Sequence, residues 1–213
     1  MSINLLKLCR TTNNLYCDTL KLARIWNHSI DNKIYNSKRS YIGQNKKAFE
    51  GASCCGPFSY ILSYELIKKY PSLDFKEGYA SYGYSKHLED HLCILHDDII
   101  IDPTYKQFLN SAYCDGKSEY SNYLYEQLPP FFVGRRNDLN KMVSDLLNLE
   151  TKLFGKTSLD KKDLETWWTF EEYSPYKFNL YNLVFDKKYK DTEIKVKGMK
   201  ELVEYLRLTD GCE

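Results

Sequence analysis

The chain has no excess of charge of either sign. It carries 30 Lys and Arg residues against 29 Asp and Glu residues, which leaves a formal net charge of +1. A field of that size neither concentrates nucleic acid nor draws a protein to an anionic membrane surface. The sequence therefore gives no strong nucleic-acid signal, and any such binding would need a local patch.

The sequence also lacks a long apolar run. A helix that spans a membrane needs roughly 18 or more consecutive apolar residues, and no such stretch is present. The segment 1–7 has no basic stretch followed by an apolar one, which a secretory leader would have. We therefore expect a protein without a membrane span that stays in the cytoplasm.

The cysteines have neither the number nor the spacing of a disulfide scaffold. There are seven of them, at positions 9, 17, 54, 55, 93, 114 and 212, and no Cys-x-x-Cys pair occurs. This pattern fits a reducing compartment. Zinc, which prefers four Cys or His ligands in a tetrahedron, is an alternative use of these cysteines with His87, His91 and His96. Because matched ligand pairs are missing, we expect no metal, and nothing indicates another cofactor.

Length and composition favour one domain. A chain of 213 residues with 43% hydrophobic residues can bury a substantial core, and no internal repeat or low-complexity linker divides it. We predict a single domain over residues 1–213, with a core over 14–130 and an α+β extension over 131–213 packed on it. Its oligomeric state does not follow from the sequence.

Two adjacent cysteines precede a predicted helix. Apolar residues at positions 58, 61, 62 and 66 follow helical spacing up to Pro71. Pro57 suits a first helical turn, so Gly56 or Cys55 is the expected capping position. Cys55 would then lie where orphan N–H groups and the helix dipole stabilise a thiolate. Cys54 is a secondary candidate, and the alternative is that both cysteines are small buried hydrophobes.

A hairpin is predicted downstream of this helix. Residues 91–95 and 99–102 are rich in β-formers and flank a polar turn at 96–98. If the turn is centred on Asp97 and Asp98, Cys93 pairs with Asp102, and His91 lies diagonal to Asp102 on the same face. A slip of one residue would separate the pair.

The other two histidines of this region are weaker candidates. His96 is expected in solvent at the tip of the turn. His87 is expected in a loop before the strand and is a secondary candidate base.

Cys55, His91 and Asp102 are in this way predicted to form one site. A thiol nucleophile needs a base within reach, and the base needs a group that fixes its tautomer. Cys, His and Asp supply these three roles.

The same residues carry a resemblance to a known superfamily. The motif Cys55-Gly-Pro-Phe-Ser59 resembles the Cys-x-x-Phe-[Ser/Ala] helix start of papain-like proteases and transglutaminases. His91, followed by a strand and by Asp102-Pro-Thr, is similar to the His and Asp-Pro-Thr block of the transglutaminase-like superfamily. The extension to Gln107 and Phe108 resembles the Asp-Pro-Thr-x-x-Gln-Phe block of uncharacterised members. The resemblance covers residues 50–110.

This resemblance implies a fold and an activity. The fold would be a papain-like, transglutaminase-like α+β core, in which the helix carrying Cys55 packs on an antiparallel sheet carrying His91 and Asp102. The activity would be thiol-dependent acyl transfer on peptide or carboxamide bonds of a protein or peptide substrate. Oxyanion-hole amides lie upstream of the cysteine in related folds, which makes Gln44 and Asn45 candidates for that role. Gln107 is a secondary site candidate.

A different class of function stays open. The alternative is a catalytically inactive papain-like fold that serves as a structural or protein-interaction module. The 19 Tyr residues belong to a bias that AT-rich coding produces, as in large DNA viruses and some parasitic microbes. A viral protein of this kind would act in the host cytoplasm or in the virion.

The rest of the chain is expected to be a mixture of helices, strands and loops. Helices are predicted over 15–26, 138–149, 158–168 and 199–208, strands over 178–185 and 192–196, and loops over 27–47 and 129–132.

Overall fold

The computed structural model describes residues 3–34, 55–84, 87–105, 128–155, 169–171 and 199–209. These residues form an α+β structure. Its elements in chain order are α1 (Leu5–Ile34), α2 (Cys55–Lys69), β1 (Lys76–Tyr84), β2 (His87–His96), β3 (Ile99–Asp102), β4 (Phe132–Arg135), α3 (Arg136–Phe154), β5 (Thr169–Glu171) and α4 (Met199–Thr209).

The strands form one five-stranded sheet in the order β4-β3-β2-β1-β5, and each neighbouring pair is antiparallel. Strands β2 and β3 are consecutive and joined by a short turn, whereas the edge strands β4 and β5 come from later in the chain. Both edge strands follow residue 130, so the predicted core and the predicted extension share this sheet.

The register of the β2–β3 hairpin is the one predicted. Ile94 lies opposite Ile101, and the pairing continues to His96 opposite Ile99. In the same register Cys93 stands opposite Asp102. Asp97 in the turn has a φ of 52°, a left-handed conformation that the short polar side chain of Asp tolerates. This turn sets which side chains share a face at the other end of the hairpin.

The centre of the sheet is buried on both faces. Leu92 and Ile94 belong to the same hydrophobic core as α1, α2 and α4. Alternate residues of a strand point to opposite faces, and the alternate residues Cys93, Leu95 and Ile100 are buried as well. Strands β2 and β3 therefore hold their polar residues in a largely apolar interior.

Helix α2 packs as its apolar spacing predicts. Phe58, Ile61, Leu62 and Leu66 are all fully buried. At its far end, Glu65 is nearly buried and accepts contacts from Lys68 Nζ at 3.3 Å and Arg207 Nη2 at 3.5 Å. Arg207 also lies 3.2 Å from Asp18, so these contacts join α4 to α2 and α1.

Helix α1 is longer than predicted. The expected helix covered 15–26, and α1 runs from Leu5 to Ile34, so the expected loop at 27–47 begins inside a helix. Thr12 and Thr19 are fully buried on the face that also buries Leu8 and Ala23. Because Thr12 interrupts the apolar stripe before residue 15, apolar spacing alone misses the first part of this helix.

The later elements match their predictions in part. The closing helix α4 is confirmed, and α3 covers the predicted 138–149 but extends to Arg136 and Phe154. The loop expected at 129–132 is wrong at its end, because Phe132 begins strand β4 and pairs with Asp102. The helix expected at 158–168 and the strands expected at 178–185 and 192–196 lie outside the described residues.

None of the helices in the described ranges is long and apolar enough to cross a membrane.

Candidate active site

Cys55 is the first residue of helix α2. The helix begins at Cys55 itself, so Cys55 and Gly56 are helical residues and neither is the expected cap. Pro57 falls in the first turn, where a missing N–H leaves no intrahelical hydrogen bond unmade. The Cys55 side chain is half-buried and packs at the margin of the core. This position places the thiol at the positive end of the helix dipole, which favours a thiolate.

His91 and Asp102 form a buried hydrogen-bonded pair. His91 Nε2 lies 2.7 Å from Asp102 Oδ2, and both side chains have 0% exposure. The other carboxylate oxygen, Oδ1, accepts a hydrogen bond of 2.9 Å from the backbone N–H of Thr104. The Asp-Pro-Thr segment thus forms an Asx turn, in which the carboxylate bonds to the backbone two residues on. Both oxygens of Asp102 are held, so its orientation toward His91 is fixed.

The His91 imidazole also contacts Cys55, the candidate nucleophile. It interacts with the Cys55 side chain through a hydrogen bond and through charge. Because Nε2 is taken by Asp102, the ring nitrogen that remains for Cys55 is Nδ1. The structure therefore brings together Cys55, His91 and Asp102 in the order expected of a nucleophile, a base and an orienting carboxylate.

The pKa of His91 reflects this surrounding. Burial by itself lowers the pKa, since it disfavours the charged imidazolium, but the charge and hydrogen bond of Asp102 and the contact with Cys55 act in the opposite direction. Together they raise the pKa of His91 to about 9. At neutral pH the imidazole is then protonated and lies beside both an acidic carboxylate and a thiol.

The structure corrects the expectation for His96. This side chain is 6% exposed rather than solvated, and its Nδ1 lies 3.0 Å from the carbonyl oxygen of Asp74. Its ring packs against Phe75, with the ring centroids 5.5 Å apart. The segment before β1 therefore covers the turn end of the hairpin, and a turn position next to two aspartates gave no sign of that cover.

The expectation for His87 also needs correction. His87 is the first residue of β2, opposite Tyr84 on β1, and does not lie in a loop. The strand begins four residues earlier than predicted because β1 extends along it. The placement of the His87 side chain lies outside the described residues, as do Cys54, Gln44, Asn45 and Gln107.

Sequence reasoning missed one polar residue that joins the elements of the site. Ser59 is fully buried on α2, and its Oγ donates a hydrogen bond of 3.0 Å to the carbonyl oxygen of Leu92. Ser59 lies one helical turn after Cys55, and Leu92 follows His91 directly. The spacing of four residues from Cys55 was a usable signal, since residues four apart share a helix face.

Metal ligands do not cluster in the described part of the chain. Within it, no group of three or more His, Cys, Asp or Glu side chains is placed to hold a metal ion. Of the cysteines considered as zinc ligands, Cys54 and Cys114 lie outside the residues that the structure describes. His91 is engaged with Asp102 and Cys55, which is an arrangement for proton transfer rather than for tetrahedral coordination.

No protein-family model, curated protein or solved structure matches the chain. The case for its function is therefore the geometry of Cys55, His91 and Asp102.

Proposed function

We propose that the protein is a thiol-dependent acyl-transfer enzyme of the transglutaminase-like, papain-like kind, with Cys55 as nucleophile, His91 as acid and base, and Asp102 as the orienting group. The observation that carries the proposal is the position of the His91 imidazole. It bonds to Asp102 Oδ2 at 2.7 Å through Nε2 and contacts Cys55 with its other side. The antiparallel sheet and the helix that begins at Cys55 agree with a papain-like core.

The chemistry follows from the charges of the site. At neutral pH the pair would be a Cys55 thiolate beside a His91 imidazolium, since the helix dipole and the imidazolium both favour the thiolate. The thiolate attacks the carbonyl carbon of a peptide or carboxamide group and forms a C–S bond. The backbone N–H of Cys55 would help to hold the oxyanion.

Two further steps complete the reaction: a thioester forms on Cys55, and its breakdown restores the thiolate. The His91 imidazolium gives its proton to the leaving nitrogen as the C–N bond breaks, which leaves a thioester on Cys55. Water or an amine then attacks the thioester, and His91 accepts the proton of the attacking group as the C–S bond breaks. Water yields hydrolysis or deamidation, and an amine yields a crosslink. The proposed substrate is a protein or peptide in the cytoplasm, and no cofactor takes part.

One observation favours the alternative of an inactive structural or interaction module. The side chains of both His91 and Asp102 are 0% exposed, as they would be if the pair served only to hold the hairpin together. A structural pair does not need an activated cysteine, however. The reactivity of Cys55 therefore separates the two functions.

The direct test is a competition between Cys55 and Cys17 for iodoacetamide at pH 6, read by peptide mass spectrometry. Cys17 is exposed on α1 and Cys55 is half-buried, so accessibility alone makes Cys17 the faster of the two. At pH 6 an ordinary thiol with a pKa near ~8.5 is almost entirely protonated and reacts slowly. We expect Cys55 to be alkylated at least about tenfold faster than Cys17.

The opposite ranking would support the module. If Cys17 reacts first and Cys55 reacts only as the pH approaches ~8.5, then Cys55 is an ordinary thiol and the catalytic assignment is wrong. A denatured sample serves as control, because both cysteines should then react at similar rates.

A further inference from the structure

The contact between helix α2 and strand β2 includes one polar bond close to the reacting groups. Ser59 Oγ donates to the Leu92 carbonyl oxygen at 3.0 Å, and both residues are buried. Along α2, Ser59 is one turn from Cys55, and along β2, Leu92 is the neighbour of His91. The bond therefore joins the helix that carries Cys55 to the strand that carries His91. It lies one helical turn from Cys55 and one residue from His91.

A buried serine in a helix commonly bonds back to a carbonyl of its own helix, three or four residues earlier. Ser63, the next serine of α2, does this, and its Oγ lies 2.8 Å from the Tyr60 carbonyl oxygen. Ser59 has the same burial but gives its hydrogen bond to the strand instead. The difference between the two serines is thus the element to which the hydroxyl is bonded.

The end of strand β3 explains why the Leu92 carbonyl accepts its hydrogen bond from a side chain. The β2–β3 pairing ends at Ile94 opposite Ile101, and the same register continued by two residues would bring Leu92 to Pro103, which has no N–H to donate. That position of the sheet cannot supply a donor for the Leu92 carbonyl. The Ser59 hydroxyl takes the place of the missing backbone donor where β3 ends and Asp102 begins its Asx turn.

We infer that Ser59 is a positioning residue of the proposed acyl-transfer site, which sets the distance between the Cys55 thiol and the His91 imidazole. The inference rests on the proposed function. Ser59 gives its hydrogen bond to a backbone carbonyl and not to either reacting group, so it acts through the helix and the strand that carry them. A displacement of about 1 Å in such a site can lower the rate by up to ~10²-fold, so one bond at this place has a measurable effect.

The experiment compares Ser59→Ala with Ser63→Ala. Both changes remove one hydroxyl from a fully buried serine of the same helix, and only the first removes the bond to β2. We expect Ser59→Ala to slow the alkylation of Cys55 by iodoacetamide at pH 6 by about tenfold relative to Ser63→Ala. Equal rates in the two variants would overturn the inference.

A second readout separates positioning from mere stability. The contact with Cys55 is one of the causes that raise the pKa of His91 to about 9, and Asp102 is another. In Ser59→Ala, the NMR titration midpoint of His91 should move down, because the Cys55 contact weakens while the Asp102 bond stays. In Ser63→Ala it should remain at the wild-type value. A midpoint that does not move in Ser59→Ala would contradict a positioning role.

If Ser59→Ala does not fold, Ser59→Thr and Ser59→Val provide the same test, because they have nearly the same shape and differ in the hydroxyl. Faster labelling of Cys55 in the Thr variant supports the inference, and equal labelling overturns it. The outcome is distinct from failure of the proposed function. That failure shows in the wild type, as Cys55 that is no more reactive than Cys17 at pH 6.

Discussion

Strand β2 holds two buried histidines, one in the middle of the strand and one at its turn end, and their partners differ. In the middle of the strand, His91 bonds to the carboxylate of Asp102 at 2.7 Å and contacts the Cys55 thiol. At the turn end, His96 bonds to a backbone carbonyl at 3.0 Å, and the Asp97 carboxylate, 3.7 Å from its Nε2, is 80% exposed. Burial of a histidine therefore says little about chemistry, and the charge and burial of its partners say much more.

The largest contrast is expected between His91→Ala and His96→Ala. Without His91, Cys55 loses the imidazolium that favours its thiolate, so its alkylation at pH 6 should fall by about 100-fold. His96 lies at the far end of the strand, and its removal should change that rate by less than about twofold. Peptide mass spectrometry of labelled Cys55 gives both rates. Similar losses in the two variants would show that the two buried histidines of β2 do not differ in chemistry.

Substitution of the two aspartates next to these histidines should lower the unfolding free energy by different amounts. Asp102→Asn leaves a buried imidazole without its charge partner, and breaking a buried pair in this way costs about 3–5 kcal/mol of unfolding free energy. Asp97→Asn alters an exposed carboxylate and should cost about 0.5 kcal/mol or less. Urea titration at pH 6 measures both. A small change in Asp102→Asn would mean that the buried pair is not charged in the folded protein.

The His91–Asp102 pair also predicts how the unfolding free energy depends on pH. The folded state raises the pKa of His91 from 6.5 to about 9, so the folded protein holds a proton that the unfolded chain releases between those values. The stabilisation is complete below pH ~6.5 and is lost as the pH rises through about 9.

The expected loss over that range is at most about 3 kcal/mol, the free energy that such a shift in pKa represents. Unfolding measured at several pH values from 6 to 10 in the wild type and in Asp102→Asn isolates this contribution. The difference in unfolding free energy between the two should shrink as the pH rises. A constant difference would contradict the raised pKa.

The smallest effect is expected from His96→Phe. This change removes the hydrogen bond to Asp74 but also removes Nε2, which is buried without a hydrogen-bond partner. The two consequences oppose each other, so the unfolding free energy should change by about 1 kcal/mol or less. Thermal melts would show this. A loss as large as that in Asp102→Asn would give His96 a structural role equal to that of His91.

The site was more predictable from the sequence than the sheet around it. The hairpin register followed from the short polar turn, because strand alternation then assigns every side chain to a face. The start of α2 followed from Pro57 and the apolar spacing after it. These local features bring His91 and Asp102 together, whereas the contact of Cys55 with His91 depends on how α2 packs against β2 and was expected only from the resemblance.

Strand β1 shows why the rest was harder to predict. It contains Gly78, and glycine weakens a strand when it is judged by its own propensity. In the sheet, a Cβ at this position would come within 2.8 Å of Cys93 Sγ, so glycine allows the close approach. The extent of strand β1 is determined by its pairing with β2, and the segment before β1 buries His96. Neither effect is visible until the partner strand is known.

If Cys55 forms a thioester with help from His91, the acyl adduct itself can be detected. The protein is mixed with p-nitrophenyl acetate at pH 7 and quenched over time, and mass spectrometry locates and counts the acetyl groups. We expect a rapid rise of acetyl on Cys55 followed by hydrolysis of the thioester, with both steps slowed in His91→Ala. Acetylation spread evenly over Cys9, Cys17 and Cys55, at rates that His91→Ala does not change, would contradict it.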